Sequence, residues 1–231
     1  MSKKVCKAPL NKCFDINDDI VEIGIDEAGR GPMLGRVYSA AVVLPKDDSS
    51  FNHSLMKDSK RFHSEKKIRE AADYIKSNSI KWSVGYVSEE MIDKVNIRNA
   101  THMAMHNAIR DVIDNFESLE GDYHLLVDGN DFKPFNLWSE ENGIKHINHT
   151  CIEGGDNIYT SIAAASILAK VARDDYIEEL CQNNPYLDTR YHILKNKGYG
   201  TKSHHDGIIE YGITKFHRKT FGICRNYNKI D

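Results

Sequence analysis

The sequence predicts an α/β fold built around a mixed sheet in one domain. Strand-like segments come first, and further strands then alternate with segments whose apolar residues recur at helical spacing. The chain has 231 residues, of which 40% are hydrophobic and 28% are charged, so it can bury a substantial core. We expect residues 1–19 to form a flexible N-terminal segment and residues 20–231 to form the domain.

The first two predicted elements are strands joined by a wide turn. Residues 21–26 alternate between apolar and polar side chains, as a strand with one buried face does. Residues 37–44 are small and apolar enough to be buried on both faces of a sheet. The glycine-rich stretch between them, residues 27–36, predicts a turn rather than regular structure.

Two helices and a strand follow. Residues 64–77 begin with Ser64, a favourable N-cap, and their apolar residues fall on one helical face. Residues 80–87 alternate as a strand does. Residues 96–116 predict a longer helix, because one stripe of it is apolar: Ile97, Ala100, Ala104, Ala108, Val112 and Phe116.

The second half of the chain continues the alternation. Residues 123–129 predict a buried strand that ends at Asp128, and residues 145–151 predict a shorter strand. Residues 154–180 predict a long helix whose small side chains suit a close approach to a sheet. A glycine-rich loop and a short helix near residues 203–211 complete the pattern.

Charge and cysteine content narrow the class of protein. The formal net charge is −3, so no global positive field indicates a nucleic-acid partner, although a local basic face remains compatible with one. The five cysteines are widely spaced without a CxxC pair, which argues against a disulfide framework or zinc knuckle. No secretory signal and no apolar run of about 20 residues is visible. We therefore expect a soluble, cytoplasmic protein with no membrane partner.

Acidic side chains stand at the ends of predicted strands. Asp26 and Asp128 each end a strand. Glu27 follows Asp26, and Asp156 stands at the start of the long helix. If the two strands are parallel neighbours, their carboxylates meet at one sheet edge, and such hard oxygen ligands suit Mg²⁺ or Mn²⁺. Ordinary turn and helix-cap chemistry is the alternative explanation for each acid taken alone.

The turn itself, GIDEAGRGP at residues 24–32, is suited to binding a ligand. Its glycines let the backbone approach a ligand closely, and Arg30 could reach a phosphate. A dinucleotide fingerprint is disfavoured, because Leu34 stands where the third glycine belongs. No Walker A lysine follows either.

Eight motifs stand out in order: GIDEAGRGP (24–32), DSK (58–60), NIRNATHMAM (96–105), VDG (127–129), GGD (154–156), SIAAASILAKVARD (161–174), KGYGT (197–201) and HRKTF (217–221). Together they resemble type 2 ribonuclease H, or ribonuclease HII, over nearly the whole chain. The resemblance implies a ribonuclease H-like fold, with a mixed five-stranded sheet flanked by helices and a C-terminal helical segment.

The resemblance also implies an activity. The enzyme would hydrolyse the RNA strand of RNA–DNA hybrids and would incise on the 5′ side of single ribonucleotides in duplex DNA, as in ribonucleotide excision repair. The products would carry 3′-hydroxyl and 5′-phosphate ends. The sliding-clamp peptide of many relatives is not visible, so we expect a monomer without an obligatory protein subunit.

Roles for individual residues follow from the same resemblance. Two Mg²⁺ or Mn²⁺ ions would be held by the catalytic acids Asp26, Glu27, Asp128 and Asp156. Asp174 would support them. The 2′-hydroxyl, which distinguishes RNA from DNA, would be recognised by Gly29, Arg30 and Gly31. Tyr199 would sense the step from RNA to DNA, and Lys60 would contact a phosphate.

Simpler interpretations stay open for several side chains. Tyr199 also suits a packed loop, and Lys60 a solvated surface. Arg36 replaces an apolar or proline position of the family, and we expect it to contact a phosphate or to be solvated. Histidines without zinc-site spacing are expected at the surface or near phosphate, namely His204, His205 and His217.

Three other functions fit the sequence less well. An inactive hybrid-binding protein is disfavoured because all four acids are present. A different two-metal nuclease, such as a junction resolvase, gives no reason for the Gly-Arg-Gly and KGYGT motifs. A nucleotide-binding oxidoreductase is disfavoured by the broken glycine fingerprint.

Overall fold

The structure is a computed structural model that describes residues 9–17, 19–115, 122–139 and 143–227. Its strands are β1 (Ile20–Ala28), β2 (Val37–Val43), β3 (Lys81–Val87), β4 (Asp122–Asp128), β5 (Asn136–Ser139), β6 (Gly143–His146) and β7 (Asn148–Ile152). Its α-helices are α1 (Glu65–Asn78), α2 (Glu89–Val95), α3 (Ile97–Asp114), α4 (Thr160–Asn183), α5 (Tyr186–Tyr191), α6 (Ile193–Asn196) and α7 (Lys202–Tyr211). Short 3-10 helices occur at His53–Leu55, Ser59–Arg61, Gly155–Asn157 and Gly222–Tyr227.

Five strands form one mixed sheet in the order β3-β2-β1-β4-β7. β1 and β4 run parallel with Ile25 opposite Val127, and β4 and β7 run parallel with Asp128 opposite Ile152. β5 and β6 form a separate antiparallel pair. The predicted α/β fold with a mixed five-stranded sheet is confirmed. Among the described residues, no helix combines the length and apolar character needed to cross a membrane.

Local signals account for the elements that were predicted correctly. β2 is buried along its whole length, as its small apolar residues require. α1 begins after Ser64, whose hydroxyl accepts the N–H of Lys67. It buries the apolar face that was predicted, Ile68, Ala71, Ala72 and Ile75.

One predicted helix is found nearly as expected, as α3, and one predicted strand is divided. The helix expected over 96–116 is preceded by α2, because Asn96 takes a φ of 68° between the two helices and caps the second. Phe116, the last residue of the predicted stripe, lies outside the described residues. The strand expected over 145–151 is interrupted at Ile147, which is buried between β6 and β7.

The long helix begins later than predicted. Residues 154–180 were expected to form the long helix, with Asp156 at its start, but α4 starts at Thr160. Gly154 takes the left-handed conformation, with a φ of 66°, and a 3-10 turn over Gly155–Asn157 follows. The short helices α5 and α6 were not predicted, because neither is long enough to show a helical repeat.

The chain divides into two compact units. The first comprises Met1–Asp26, Val42–Trp82 and Phe116–Ile167. In it, the start of α4 lies directly on β1, because a Cβ atom on Gly24 would stand 2.2 Å from the carbonyl carbon of Ser161. Only glycine permits this approach. Its fully buried apolar residues include Ile23, Ile25, Leu125, Leu126, Val127 and Ile162.

The second unit comprises Glu27–Ala41, Ser83–Asn115 and Leu168–Asp231. In it, β3 meets α3 at Gly85, where a Cβ atom would stand 2.6 Å from the carbonyl oxygen of Ala104. The predicted C-terminal helical segment is present as α5, α6 and α7. These helices enclose an apolar core that includes Leu34, Ile177, Leu187, Tyr191, Ile193 and Ile208.

Candidate active site

Asp26 and Asp128 stand at the carboxyl ends of two neighbouring parallel strands. The register pairs Ile25 of β1 with Val127 of β4, so the next residue of each strand is an acid. Asp26 is buried, with 5% of its surface exposed, and Asp128 is half-buried. The parallel pairing that the metal-site prediction required is therefore present at this end of the sheet.

The turn between β7 and α4 brings Asp156 to the end of β4. The N–H of Gly155 donates to Asp128 Oδ1 over 2.7 Å. Gly155 has no room for a side chain, since a Cβ atom would stand 2.6 Å from Ile162 Cδ1. Asp156 lies inside the 3-10 turn, before α4 begins at Thr160, and so is not the N-cap of that helix.

The charge of Asp156 is disfavoured by its surroundings. Burial raises the pKa of Asp156, and the negative charges of Asp58 and Asp128 raise it further. A 2.9 Å hydrogen bond from the Asn157 amide and the positive charge of Lys60 act in the opposite direction. Protonation of such a carboxylate, or binding of a cation beside it, removes the unfavourable charge repulsion.

Asp58 is an acid that the sequence analysis did not single out. Its carboxylate caps the 3-10 helix Ser59–Arg61 by accepting the N–H of Lys60 over 2.8 Å. It also accepts a 3.3 Å hydrogen bond from the side-chain amide of Asn157. Lys60 is exposed, as a contact with an external phosphate requires. The DSK motif contains both residues and was the available signal.

The first unit offers the chemistry of a divalent-cation site. Asp26, Asp128 and Asp156 supply hard carboxylate oxygens, and a bound cation would offset the repulsion that raises the pKa of Asp156. Within the ranges that the structure describes, no three acids, histidines or cysteines are clustered closely enough to hold a metal ion as they stand. The argument for a divalent cation here rests on the carboxylate oxygens and on the disfavoured negative charge of Asp156.

The remaining predicted acids belong to the second unit. The carboxylate of Glu27 is 3.4 Å from the guanidinium of Arg30. Asp174 forms an ion pair with Lys170, one turn earlier in α4, and its Oδ1 atom is buried without a hydrogen-bond partner among the described residues. Asp174 is therefore tied to a neighbouring lysine of its own helix.

The glycine turn over residues 29–31 is a tight one. Gly29 has a φ of 92°, which disfavours any side chain, and a Cβ atom there would stand 2.3 Å from Arg173 Nε. Arg30 and Gly31 are exposed. The turn therefore presents its middle residues to solvent while its first glycine packs against a buried arginine.

A second buried arginine holds the turn. Arg218 has no exposed surface and donates four hydrogen bonds of 2.6–3.1 Å to the carbonyl oxygens of Gly29, Arg30, Gly35 and Arg36. Burial, and then the charge of Arg173, lower the pKa of Arg218 to about 9, so the guanidinium stays charged at neutral pH. Its planar fork fixes the backbone on both sides of the turn.

Tyr199 stands beside this turn. A Cβ atom on Gly31 would stand 3.4 Å from Tyr199 Cε1, and half of the tyrosine surface is exposed. The loop that carries Tyr199 is joined to the same segment, because the carbonyl of Gly198 accepts the N–H of Met33 over 2.8 Å. The structure thus brings together two of the predicted substrate-binding residues, Gly31 and Tyr199.

The expectation that His204 and His217 lie at the surface is wrong. Both side chains are buried, and their Nε2 atoms are 3.1 Å apart. Burial lowers the pKa of each ring. Their hydrogen-bond partners lie 3 to 13 positions away, in loops and turns that the helical and strand repeats of the sequence do not describe.

Arg36, for which solvation or a phosphate contact was expected, is half-buried against aromatic rings. Its guanidinium lies between two tyrosine rings, 4.4 Å from the ring centre of Tyr86 and 4.6 Å from that of Tyr176. Cation–π contacts on both faces hold the side chain in the second unit.

Known proteins resemble this chain in sequence. The sequence model described as ribonuclease HII matches residues 23–224. Ribonuclease HII of Bacteroides fragilis is 44% identical over 208 residues, which are 90% of this chain and 92% of that protein.

Two solved structures are similar in fold. The ribonuclease HII of Archaeoglobus fulgidus, solved as a complex with PCNA, has a TM-score of 0.63 and 23% identity, covering 87% of this chain and 95% of that chain. Bst-RNase HIII, solved in complex with Mn²⁺, has a TM-score of 0.60 and 16% identity, covering 83% of this chain and 70% of that chain. From the match over residues 23–224 and the identity to the Bacteroides protein, the chain belongs to the ribonuclease HII family of metal-dependent endonucleases.

Proposed function

We propose that the chain hydrolyses the RNA strand of RNA–DNA hybrids and incises on the 5′ side of single ribonucleotides in duplex DNA, leaving 3′-hydroxyl and 5′-phosphate ends. The observation that carries this proposal is the placement of the Tyr199 ring beside Gly31 of the exposed turn. A nuclease that ignored sugar identity would not need this pair.

Recognition starts from the 2′-hydroxyl, the group that distinguishes a ribonucleotide from the DNA around it. In our proposal, backbone groups of Gly29, Arg30 and Gly31 bind this hydroxyl. The exposed half of the Tyr199 ring packs against the sugar of the next nucleotide, where a second 2′-hydroxyl would collide with it. This arrangement selects an RNA-to-DNA step.

Cleavage is assigned to the four acids. Asp26, Glu27, Asp128 and Asp156 would hold two Mg²⁺ or Mn²⁺ ions, which when bound stabilise the charge that develops on the phosphodiester and activate water. Asp128 is oriented for this by the N–H of Gly155.

Other charged residues have accessory roles in this proposal. Lys60 is exposed and within electrostatic reach of Asp156, which suits a contact with the substrate phosphate. Asp174 supports the site through its ion pair with Lys170. We further propose that the protein acts as a monomer in the cytoplasm and begins the removal of ribonucleotides from DNA.

The residues proposed to recognise the sugar are close in sequence to one of the residues proposed to cleave the substrate. Only Glu27 and Ala28 separate Asp26 from Gly29, so the selecting turn follows the first acid directly. A junction resolvase on a similar fold would have no use for a turn beside Tyr199. An inert hybrid-binding protein would have no use for the acids.

The test uses a labelled DNA duplex with one internal ribonucleotide, incubated with Mg²⁺ and separately with Mn²⁺. We expect one cut, 5′ of the ribonucleotide, by the wild-type protein. Asp128→Asn should not cut. The matched control Asp73→Asn, which alters an exposed acid of α1, should cut as the wild type does.

An all-DNA duplex separates the alternatives. Cutting of that duplex would favour a junction-type nuclease. Binding of the ribonucleotide substrate without any cut, under both metals, would favour the inert hybrid-binding protein. Either result contradicts the proposed function.

A further inference from the structure

A chain of hydrogen bonds runs from Thr214 to the backbone of Tyr199. His217 Nδ1 lies 3.0 Å from the backbone nitrogen of Thr214 and 2.9 Å from its hydroxyl. His217 Nε2 lies 3.1 Å from His204 Nε2. His204 Nδ1 lies 3.0 Å from the carbonyl oxygen of Tyr199. Both rings are buried, so water does not replace these contacts.

The contacts fix the direction of every bond. The backbone N–H of Thr214 can only donate, so His217 Nδ1 accepts and the proton of a neutral ring sits on Nε2. His217 Nε2–H therefore donates to His204 Nε2. The proton of His204 is then on Nδ1, where it donates to the carbonyl of Tyr199. The two histidines thus convert a fixed backbone N–H into a donor aimed at Tyr199.

This series of hydrogen bonds requires both histidine rings to be neutral. Burial lowers the pKa of His204, and it lowers that of His217 to about 3, with the neighbouring ring adding to the effect. A proton on both Nε2 atoms would place two donors face to face. Near neutral pH the pair has one favourable arrangement of protons.

The same short segment holds both substrate-selecting elements. His217 acts on the Tyr199 carbonyl through His204, and the next residue, Arg218, binds the carbonyls of Gly29 and Arg30. Consecutive residues therefore fix the position of the Tyr199 loop and that of the glycine turn.

We propose that His204 and His217 are positioning residues that set selectivity for an RNA-to-DNA step by holding Tyr199 against the glycine turn. This inference rests on the proposed function. Neither ring contacts substrate in this assignment, and the acids are left as they are. Loss of the donor to Tyr199 should therefore reduce discrimination between substrates, while hydrolysis of a continuous hybrid continues.

Two substitutions at one position separate this role from simple packing. In His204→Asn, the side-chain amide nitrogen takes the place of Nδ1 and still donates to Tyr199. In His204→Gln, the amide reaches the place of Nε2, and the donor to Tyr199 is lost. Both replace a buried ring by a smaller amide, so their melting temperatures should fall by similar amounts.

The bond to Tyr199 can be observed without any reaction. Carbonyl-¹³C tyrosine combined with ¹⁵N glycine marks Tyr–Gly steps, which in this chain are Tyr199–Gly200 and Tyr211–Gly212. We expect His204→Gln to move the Tyr199 carbonyl resonance upfield by more than it moves that of Tyr211, the internal control. His204→Asn should leave both resonances near their wild-type positions.

Selectivity is the second readout. It is the ratio of kcat/KM for a duplex with one ribonucleotide to kcat/KM for a continuous RNA–DNA hybrid. Because a hydrogen bond of ordinary strength is lost, we expect this ratio to fall roughly five- to tenfold in His204→Gln. The ratio should stay within about twofold of wild type in His204→Asn, and kcat on the hybrid should be unchanged in both.

Equal loss of selectivity in the two variants, or none in either, would overturn the inference in favour of packing. So would an unmoved Tyr199 resonance in His204→Gln, whatever the cleavage results are. Failure of the wild-type protein to cut the single-ribonucleotide duplex would instead overturn the proposed function and the selectivity role that depends on it. In that case the carbonyl resonance still decides whether the histidines hold Tyr199.

Discussion

The acidic ends of β1 and β4 and the glycine turn at residues 29–31 use buried charge in opposite ways. Asp156 is buried near other carboxylates, which disfavour its charged form. Arg218 is fully buried, but four backbone carbonyls accept its hydrogen bonds. Burial disfavours the charge of both residues, but the charge of Arg218 is compensated by its hydrogen bonds, whereas Asp156 lies near like charges. Substitutions in the acidic region should mainly reduce activity, and substitution of Arg218 should mainly reduce stability.

The largest expected effect is on stability, and it concerns Arg218 of the second region. Arg218→Met should lower the free energy of unfolding by about 3–5 kcal/mol, because several buried carbonyls lose their charged donor. Urea unfolding at neutral pH measures it. The control Arg30→Met alters an exposed arginine of the same turn and should change stability by less than about 0.5 kcal/mol. Equal losses of stability in the two variants would mean that the hydrogen bonds of buried Arg218 do not stabilise the turn.

On the acidic side, the effect should be on activity. Asp156→Asn should reduce cleavage of the single-ribonucleotide duplex by about 10²- to 10³-fold, the scale for loss of one group that stabilises developing charge. Without divalent cations its free energy of unfolding should equal or exceed that of wild type, because a disfavoured charge is gone. Rate assays and urea unfolding, with Asp73→Asn as control, test both. A large loss of stability would show that Asp156 is structural.

Divalent cations should raise the stability of the protein by compensating the charge of the acidic region, as hydrogen bonds already compensate the charge of Arg218. If the acids bind Mn²⁺ in the folded state, a concentration about 100 times the Kd raises the free energy of unfolding by about 2.7 kcal/mol. Unfolding with Mn²⁺ and with a chelator measures the rise, which should be smaller in Asp156→Asn. An equal rise in wild type and variant would place the binding elsewhere.

The last expected effect concerns the pH dependence of stability and the buried histidines. The folded pKa of His217 is lowered to about 3 from an ordinary value of 6.5, and that of His204 is also lowered. The unfolded chain therefore binds protons first, so the stability that neutral rings confer is present above pH 6.5 and is lost as the pH falls toward 3. Each ring contributes a slope of up to about 1.4 kcal/mol per pH unit.

Urea midpoints measured between about pH 7 and pH 5 give this slope. It should be shallower in His217→Asn than in wild type. The exposed His146 supplies the control, since His146→Asn should keep the wild-type slope. A slope that His217→Asn leaves unchanged would mean that the buried pair does not titrate in unfolding.

The features that sequence predicts here are local ones. Ser64 and the apolar face of α1 were predicted because cap and periodicity involve residues within a few positions of each other. The acids at strand ends were predicted because Asp128 follows a buried strand directly. The start of α4 was misplaced because Gly154 takes a left-handed conformation that its neighbours do not reveal.

The side-chain partners that the sequence does not specify are often distant in the chain. Asp58 meets Asn157 across 99 positions of the chain, and Arg218 meets Gly29 across 189. A lone histidine such as His204 looks solvated until His217 packs against it. Burial of polar side chains is decided by such contacts, so the sequence predicts residues in motifs more readily than the buried polar residues that hold them in place.

The clamp of Arg218 on the glycine turn also orders events during synthesis. Its acceptors are 182 to 189 positions earlier in the chain. The ribosome, adding about 5–20 residues per second, therefore incorporates Asp26, Glu27, Asp128 and Asp156 well before this donor exists. A nascent chain that stops short of residue 218 has its acids but lacks the arginine that fixes the turn. The proposed recognition of the 2′-hydroxyl would therefore depend on an arginine that is synthesised after the proposed metal-binding acids.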